Sequence, residues 1–152
     1  MKIPRWFKFT FAALGTVALG IQFIPVVRTN PPVVKTLVWD SPKTEALARR
    51  ACFDCHSNET RWPWYAYVAP VSWLVTGDVK DAREEFNFTD VSSDDRAERL
   101  VERIENGEMP PLRYRALHGE ARLSETEKQE YVAGLQRSFQ RSGLGPDEAK
   151  KK

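Results

Sequence analysis

The only two cysteines of the chain stand three residues apart, and a histidine follows the second directly: Cys52-Phe53-Asp54-Cys55-His56. On a helix, positions i, i+3 and i+4 share a face, so both thiols and the imidazole converge on one patch while Phe53 and Asp54 point elsewhere. The flanking sequence supports that helix. Ser41 is placed as an N-cap with Pro42 at the first helical position. Leu47, Ala48, Ala51, Cys52 and Cys55 then recur at three- and four-residue spacing, which predicts a helix from Pro42 to about Cys55.

Three further helices follow from the same periodicity. One starts near Pro70, with Val71, Leu74, Val75, Val79, Ala82 and Phe86 as its apolar stripe. The next is opened by the capping-box pair Ser92 and Asp95, turns Ala97, Leu100, Val101 and Ile104 inward, and stops at Gly107. The last is opened by Ser124 and Glu127, with Tyr131, Val132, Leu135 and Phe139 on one face. Between these two, "EMPPLRYRALHGEARL" reads as irregular around Pro110 and Pro111. No strand alternation of useful length and no internal repeat is present. The predicted fold class is all-α, with about four helices in one small domain over residues 42-140. Residues 28-41 form an extended linker, where Pro31 and Pro32 forbid a helix, and residues 141-152 a polar tail expected to be disordered.

The first 27 residues belong to another regime. Lys2, Arg5 and Lys8 precede a stretch with no charge from Phe9 to Val27, the pattern of a secretory signal or a membrane anchor. Ala18-Leu19-Gly20 offers small residues for a signal peptidase, yet the uncharged span also matches the roughly 17–25 residues a bilayer requires. Under either reading the positive charges stay in the cytoplasm and the remainder lies outside it. Lysine and arginine total 23 against 21 acidic residues; setting those three cations aside leaves 20 against 21. A near-neutral body carries no electrostatic footprint for nucleic acid.

Three chemistries use two thiols and an imidazole on one face. A disulfide at this spacing makes a redox-active loop, but its usual βαβ setting is missing. Zinc would need Cys52, Cys55, His56 and the distant His118, since the chain has no other cysteine or histidine. The third is covalent haem: C-x-x-C-H is the c-type attachment signature, each thiol adding to a vinyl group and the histidine taking the iron. The sixth iron ligand is then sought elsewhere. Met109, the only methionine beyond the initiator, sits in a loop stiffened by Pro110 and Pro111, and His118 is its competitor. Trp62, Trp64, Tyr65, Tyr67 and Trp73 lie just after the motif and are candidates for the wall of a haem pocket, with Arg61 a candidate for a propionate.

The segment "CFDCHSNETRWPWYAYVAPVSWLV", followed by "NF" and by "GEMPPLRYRALHGEARLSETE", resembles the bacterial haem-binding domain family of exported, single-haem, cytochrome-like proteins. The resemblance runs from about Asn30 to Phe139. It implies one haem held covalently by Cys52 and Cys55 with His56 as proximal ligand, an N-terminal membrane segment, and a place in the bacterial cell envelope. Family members often carry a histidine in a stretch like "HVNEGR"; here the stretch reads "DVKDAR" with Asp78 at that position, which favours Met109 as the distal ligand. The order of attachment helix, methionine loop and last helix also resembles class I cytochromes c. The functional expectation is an electron carrier rather than an enzyme, on the periplasmic side of the cytoplasmic membrane, with a redox partner protein. The alternatives are a haem peroxidase or gas sensor with an exchangeable distal site, and a zinc module.

Overall fold

The computed structural model describes residues 4–91 and 96–144, and among these every regular element is helical apart from one isolated bridge between Lys35 and Asp90. The Ser92–Asp95 capping pair, Lys2, and the tail beyond residue 144 lie outside the described residues. The α-helices are α1 (Arg5–Gly20), α2 (Pro42–Ala51), α3 (Phe53–His56), α4 (Val71–Glu85), α5 (Arg96–Glu105), α6 (Leu112–Leu117) and α7 (Glu125–Arg141). Single 3-10 turns occupy Ile21–Phe23, Trp64–Tyr67 and Gly119–Ala121.

The chain folds as two compact units. The first comprises residues 1–28 and 62–78, the second residues 29–61 and 79–152, so that α4 contributes its beginning to one and its end to the other. In the first unit, α1 and the turn after it span Arg5–Phe23 and bury no residue. At its end the Gln22 amide pairs with the peptide of Ala69: Nε2 donates to the Ala69 carbonyl at 3.2 Å, and the Ala69 N–H donates to Oε1 at 2.9 Å. Arg28 donates to the Ala66 carbonyl at 3.2 Å and stacks over the Tyr67 ring at 4.5 Å.

The second unit holds the core that positions the cysteine motif. Three of its helix ends fall on signals read from the sequence. Ser41 Oγ accepts the Thr44 N–H at 3.2 Å with Pro42 at the first position of α2. Ser124 and Glu127 close a reciprocal capping box on α7. Gly107 takes φ +75° after α5, a left-handed conformation that favours glycine, and its N–H caps the Ile104 carbonyl. The predicted inward residues of α5 and α7 are buried, and Tyr131, Ile104 and Leu135 are among the largest side chains fully withdrawn from water. Each such side chain contributes about 1.5–3 kcal/mol.

Two local expectations change. The helix predicted from Pro42 to Cys55 breaks at Cys52, where φ −128° and ψ −31° separate α2 from α3. The Cys55 and His56 amides both turn back to the Cys52 carbonyl, tightening the chain into a single turn. The stretch after Pro111 contains α6, whose six residues are too few for an apolar period to declare itself. The extended segment 28–41 is pinned along its length. Val34, Lys35 and Leu37 donate to the carbonyls of Thr89 and Phe88, and Leu37 is buried in the core.

Candidate functional site

The cysteine motif is fixed in the second unit by partners that reach it from four directions. Cys52 is buried, and the Tyr131 hydroxyl of α7 donates to its sulfur at 3.3 Å. Burial pushes the Cys52 thiol up to about 11, against the pull of that hydroxyl, so it is protonated at neutral pH. The same burial, together with the thiol, drives the Tyr131 phenol well above its ordinary value. Cys55 is half-buried, and the two sulfurs are not bonded to each other.

His56 is held twice. Its carbonyl accepts the Phe88 N–H at 2.8 Å, and its Nδ1 lies 2.9 Å from the Phe86 carbonyl. A carbonyl only accepts, so Nδ1 carries the proton and Nε2 carries the lone pair. Burial holds the imidazole below its ordinary pKa despite the Phe86 and Ala82 carbonyls, which keeps it neutral. An imidazole anchored through Nδ1 has Nε2 as its basic nitrogen, the tautomer that metal-ligating histidines commonly use.

Residues after the motif lock this geometry. Asp54, between the cysteines, accepts from the Arg61 N–H at 3.1 Å, from Arg61 Nε at 3.2 Å and from the Tyr114 hydroxyl at 3.0 Å. Asn58 donates to the Thr89 hydroxyl and the Pro32 carbonyl and accepts from Asn87, so "SN" after the histidine is matched by "NFT" after α4. Arg83 donates to the carbonyls of Ser57 and Thr29, to the Thr60 hydroxyl and to Asn30. Burial lowers its pKa, and the nearby Cys55 pulls the other way. Phe53 stacks on Phe88 at 5.6 Å with their planes 10° apart, and the His56 ring meets the edge of Phe88.

This arrangement suits a haem better than a bare ion. Among the described residues no three His, Cys, Asp or Glu side chains gather to hold a metal. Cys52 is turned toward Tyr131 and His56 toward Phe86, so a tetrahedral zinc set is not assembled. Haem iron brings four ring nitrogens with it and asks the protein for one or two axial donors, which a single anchored imidazole begins to satisfy.

A family model described as a haem-binding domain matches residues 16–137. The chain belongs to this family. Among curated proteins, cytochrome c peroxidase Ccp of Escherichia coli (strain K12) is 28% identical over 98 residues, 59% of this chain and 21% of that protein. The chain thus spans about a fifth of the length of that curated relative. No solved structure matches.

The other candidates of this haem-binding domain are placed as follows. Met109 is half-buried and packs against the hydrophobic cluster that contains Cys52 and Phe53, its N–H bonded to the Arg103 carbonyl at 3.2 Å. His118 stacks on Tyr114, the ring centroids 4.1 Å apart, and its Nδ1 lies 3.3 Å from Glu120. Arg61 is largely exposed and engaged with Asp54, which raises its pKa. Trp62, Trp64 and Tyr65 belong to the first unit, where Trp64 and Tyr65 meet edge to face at 5.8 Å and Trp64 is 78% exposed. Asp54 and Arg83 were given no role by their sequence setting; Tyr131 was read only as part of an apolar helix face, and Asn58 and Asn87 only as part of the stretches that carry the resemblance. An acidic residue inside the motif and a second asparagine 29 residues after the first give no period or spacing to read.

Proposed function

We propose that this haem-binding domain carries one covalently attached c-type haem and works as an electron carrier tethered at the outer face of the cytoplasmic membrane. The observation that carries the reading is His56, whose Nδ1 is committed to the Phe86 carbonyl while Nε2 keeps its lone pair, directly after the only two cysteines of the chain. Cys52 and Cys55 are the thioether anchors, and His56 is the proximal ligand. Met109 is the distal ligand: it packs on the same apolar cluster as Cys52, whereas His118 is engaged with Tyr114 and Glu120.

His56 and Met109 would hold the iron of a haem bound there; the haem would supply a one-electron couple, and His/Met ligation would raise its potential. The chain's part is to hold the imidazole neutral and oriented, to exclude water from the sulfur of Cys52, and to stiffen the methionine loop with Pro110 and Pro111. The likeness to one fifth of a cytochrome c peroxidase is in keeping with a redox module, and the span is too short to carry that protein's whole activity across. The charge pattern at the N-terminus and the membrane-length helix Arg5–Phe23 support export and tethering.

The test is a set of visible spectra of the purified chain in both redox states. The weak sulfur-to-iron band at the red edge is expected in the wild type, lost in Met109→Ala and retained in His118→Ala, with carbon monoxide binding rapidly only to Met109→Ala. Loss of ligation in His118→Ala instead would overturn Met109 as the ligand. Rapid carbon monoxide binding by the wild type would favour an exchangeable distal site, as a peroxidase or gas sensor requires.

A further inference from the structure

The predicted apolar stripe of α4 divides in two. Val79 and Phe86 are buried in the second unit, whereas Val71 and Leu74 at the start of the helix are exposed. They share that exposure with Trp64, Tyr67, Val68 and Trp73 in the first unit. From Trp62 to Gly77 the chain carries no charged residue, yet three of its five tryptophans fall in these sixteen positions. An uncharged segment that exposes two tryptophans, a tyrosine and three aliphatic side chains is an unusual surface for a protein in water and an ordinary one at a lipid interface, where indole and phenol rings settle among headgroups.

The position of the segment within the first unit says what covers it. The helix Arg5–Phe23 has 19 residues and a length of about 28 Å, close to the hydrocarbon thickness of a bilayer. Three cations precede or open it, which sets its C-terminal end at the outer surface. Gln22, one residue from that end, is paired through both amide atoms with the peptide of Ala69. The middle of the uncharged segment is therefore within hydrogen-bond distance of the point where α1 leaves the hydrocarbon. Arg28 extends the clasp to Ala66 and Tyr67 and adds a cation at the level of lipid phosphates.

We propose that Trp64, Tyr67, Val68, Val71, Trp73 and Leu74 form a second membrane contact, seated in the outer interfacial layer beside the end of α1. The partner is the lipid surface itself. The segment lies on the bilayer without crossing it, so that the first unit is fixed against rotation at two places instead of hanging from one helix. This inference rests on α1 remaining attached and spanning the membrane.

The test uses the full haem-loaded chain in nanodiscs of phosphatidylethanolamine and phosphatidylglycerol that contain a phospholipid with a photoreactive diazirine near its glycerol backbone. Trypsin separates the regions, because cleavage after Lys8, Arg28, Arg61 and Lys80 releases Phe9–Arg28 and Trp62–Lys80 as distinct peptides. Lipid adducts are expected on both. Gln22→Ala, which removes the clasp, is expected to lower the yield on Trp62–Lys80 several-fold and leave Phe9–Arg28 unchanged. Adducts on Phe9–Arg28 alone would overturn the proposal while leaving the anchor in place. Adducts on neither peptide would overturn the anchor reading as well. Adducts on Trp62–Lys80 that appear in a Cys52→Ala/Cys55→Ala chain and vanish in the haem-loaded chain would return these rings to the haem wall and likewise overturn the proposal.

Discussion

Asp54 sits between the two cysteines, and its removal is the sharpest way to ask whether the motif is held from outside its own turn. The Asp54 side chain is 11% exposed and accepts from the Arg61 N–H, the Arg61 guanidinium and the Tyr114 hydroxyl. The Arg61 side chain is 71% exposed, so the ion pair itself contributes at most about 1 kcal/mol. The backbone N–H and the phenol donate to an ionised acceptor in a shielded place, a setting in which each bond is worth about 1.5 kcal/mol or somewhat more. Asp54→Ala therefore costs about 3 kcal/mol in all, and Asp54→Asn, which keeps an acceptor but loses the charge, about half of that. With a urea dependence of about 1.5 kcal/mol per molar, the unfolding midpoint of the haem-loaded chain moves down by about 2 M for the alanine variant. The fraction of purified chain that carries haem falls with it, because α3 then loses the Arg61 and Tyr114 contacts that help to hold it in place. A midpoint shift below about 0.5 M would refute the reasoning and make the Asp54 contacts incidental.

Gly134→Ala tests the crossing of α2 and α7. A Cβ there would overlap the hydroxyl and methyl of the buried Thr44, so the variant loses about 1–2 kcal/mol despite alanine's better helix propensity; in a Thr44→Ala background most of that loss disappears, as urea midpoints of the four proteins will read. Glu127, pulled down to about 2 by the Ser124 N–H first and by Arg50 next, gives an acid limb. Its folded-state pKa lies below its ordinary 4.5, so its contribution is complete above pH 4.5 and is lost as the pH falls toward 2. Glu127→Gln is expected to lower the midpoint at pH 7 and flatten its fall between pH 4.5 and 2. Tyr131→Phe removes the donor to the Cys52 sulfur while keeping the ring, and a small loss of stability of about 1 kcal/mol is expected by thermal unfolding.

Much of the helical frame was legible because its signals are local. Ser41 with Pro42, Ser124 with Glu127 and Gly107 each act within one turn of the chain, and an apolar period of ten residues or more fixes which face of α5 or α7 goes inward. The break at Cys52 and the short α6 were not legible, since both depend on partners far along the sequence: Phe86 and Phe88 for His56, and Asp54 for Tyr114. The stripe of α4 illustrates the limit of periodicity. It reads as one apolar face from Val71 to Phe86, yet only its later part, with Val79 and Phe86, finds a protein core. The motif itself was read from residue types and spacing, whereas the bond that selects the His56 tautomer came from a carbonyl thirty residues away.

The most direct measurement is the intact mass of the chain made in export-competent cells with a haem-maturation system, then denatured and extracted with acidified organic solvent. The expected result is a single species heavier by one haem, which reverts to the bare mass in Cys52→Ala/Cys55→Ala. A wild-type chain that emerges at the bare mass, with both cysteines open to alkylation, would contradict covalent attachment at Cys52 and Cys55.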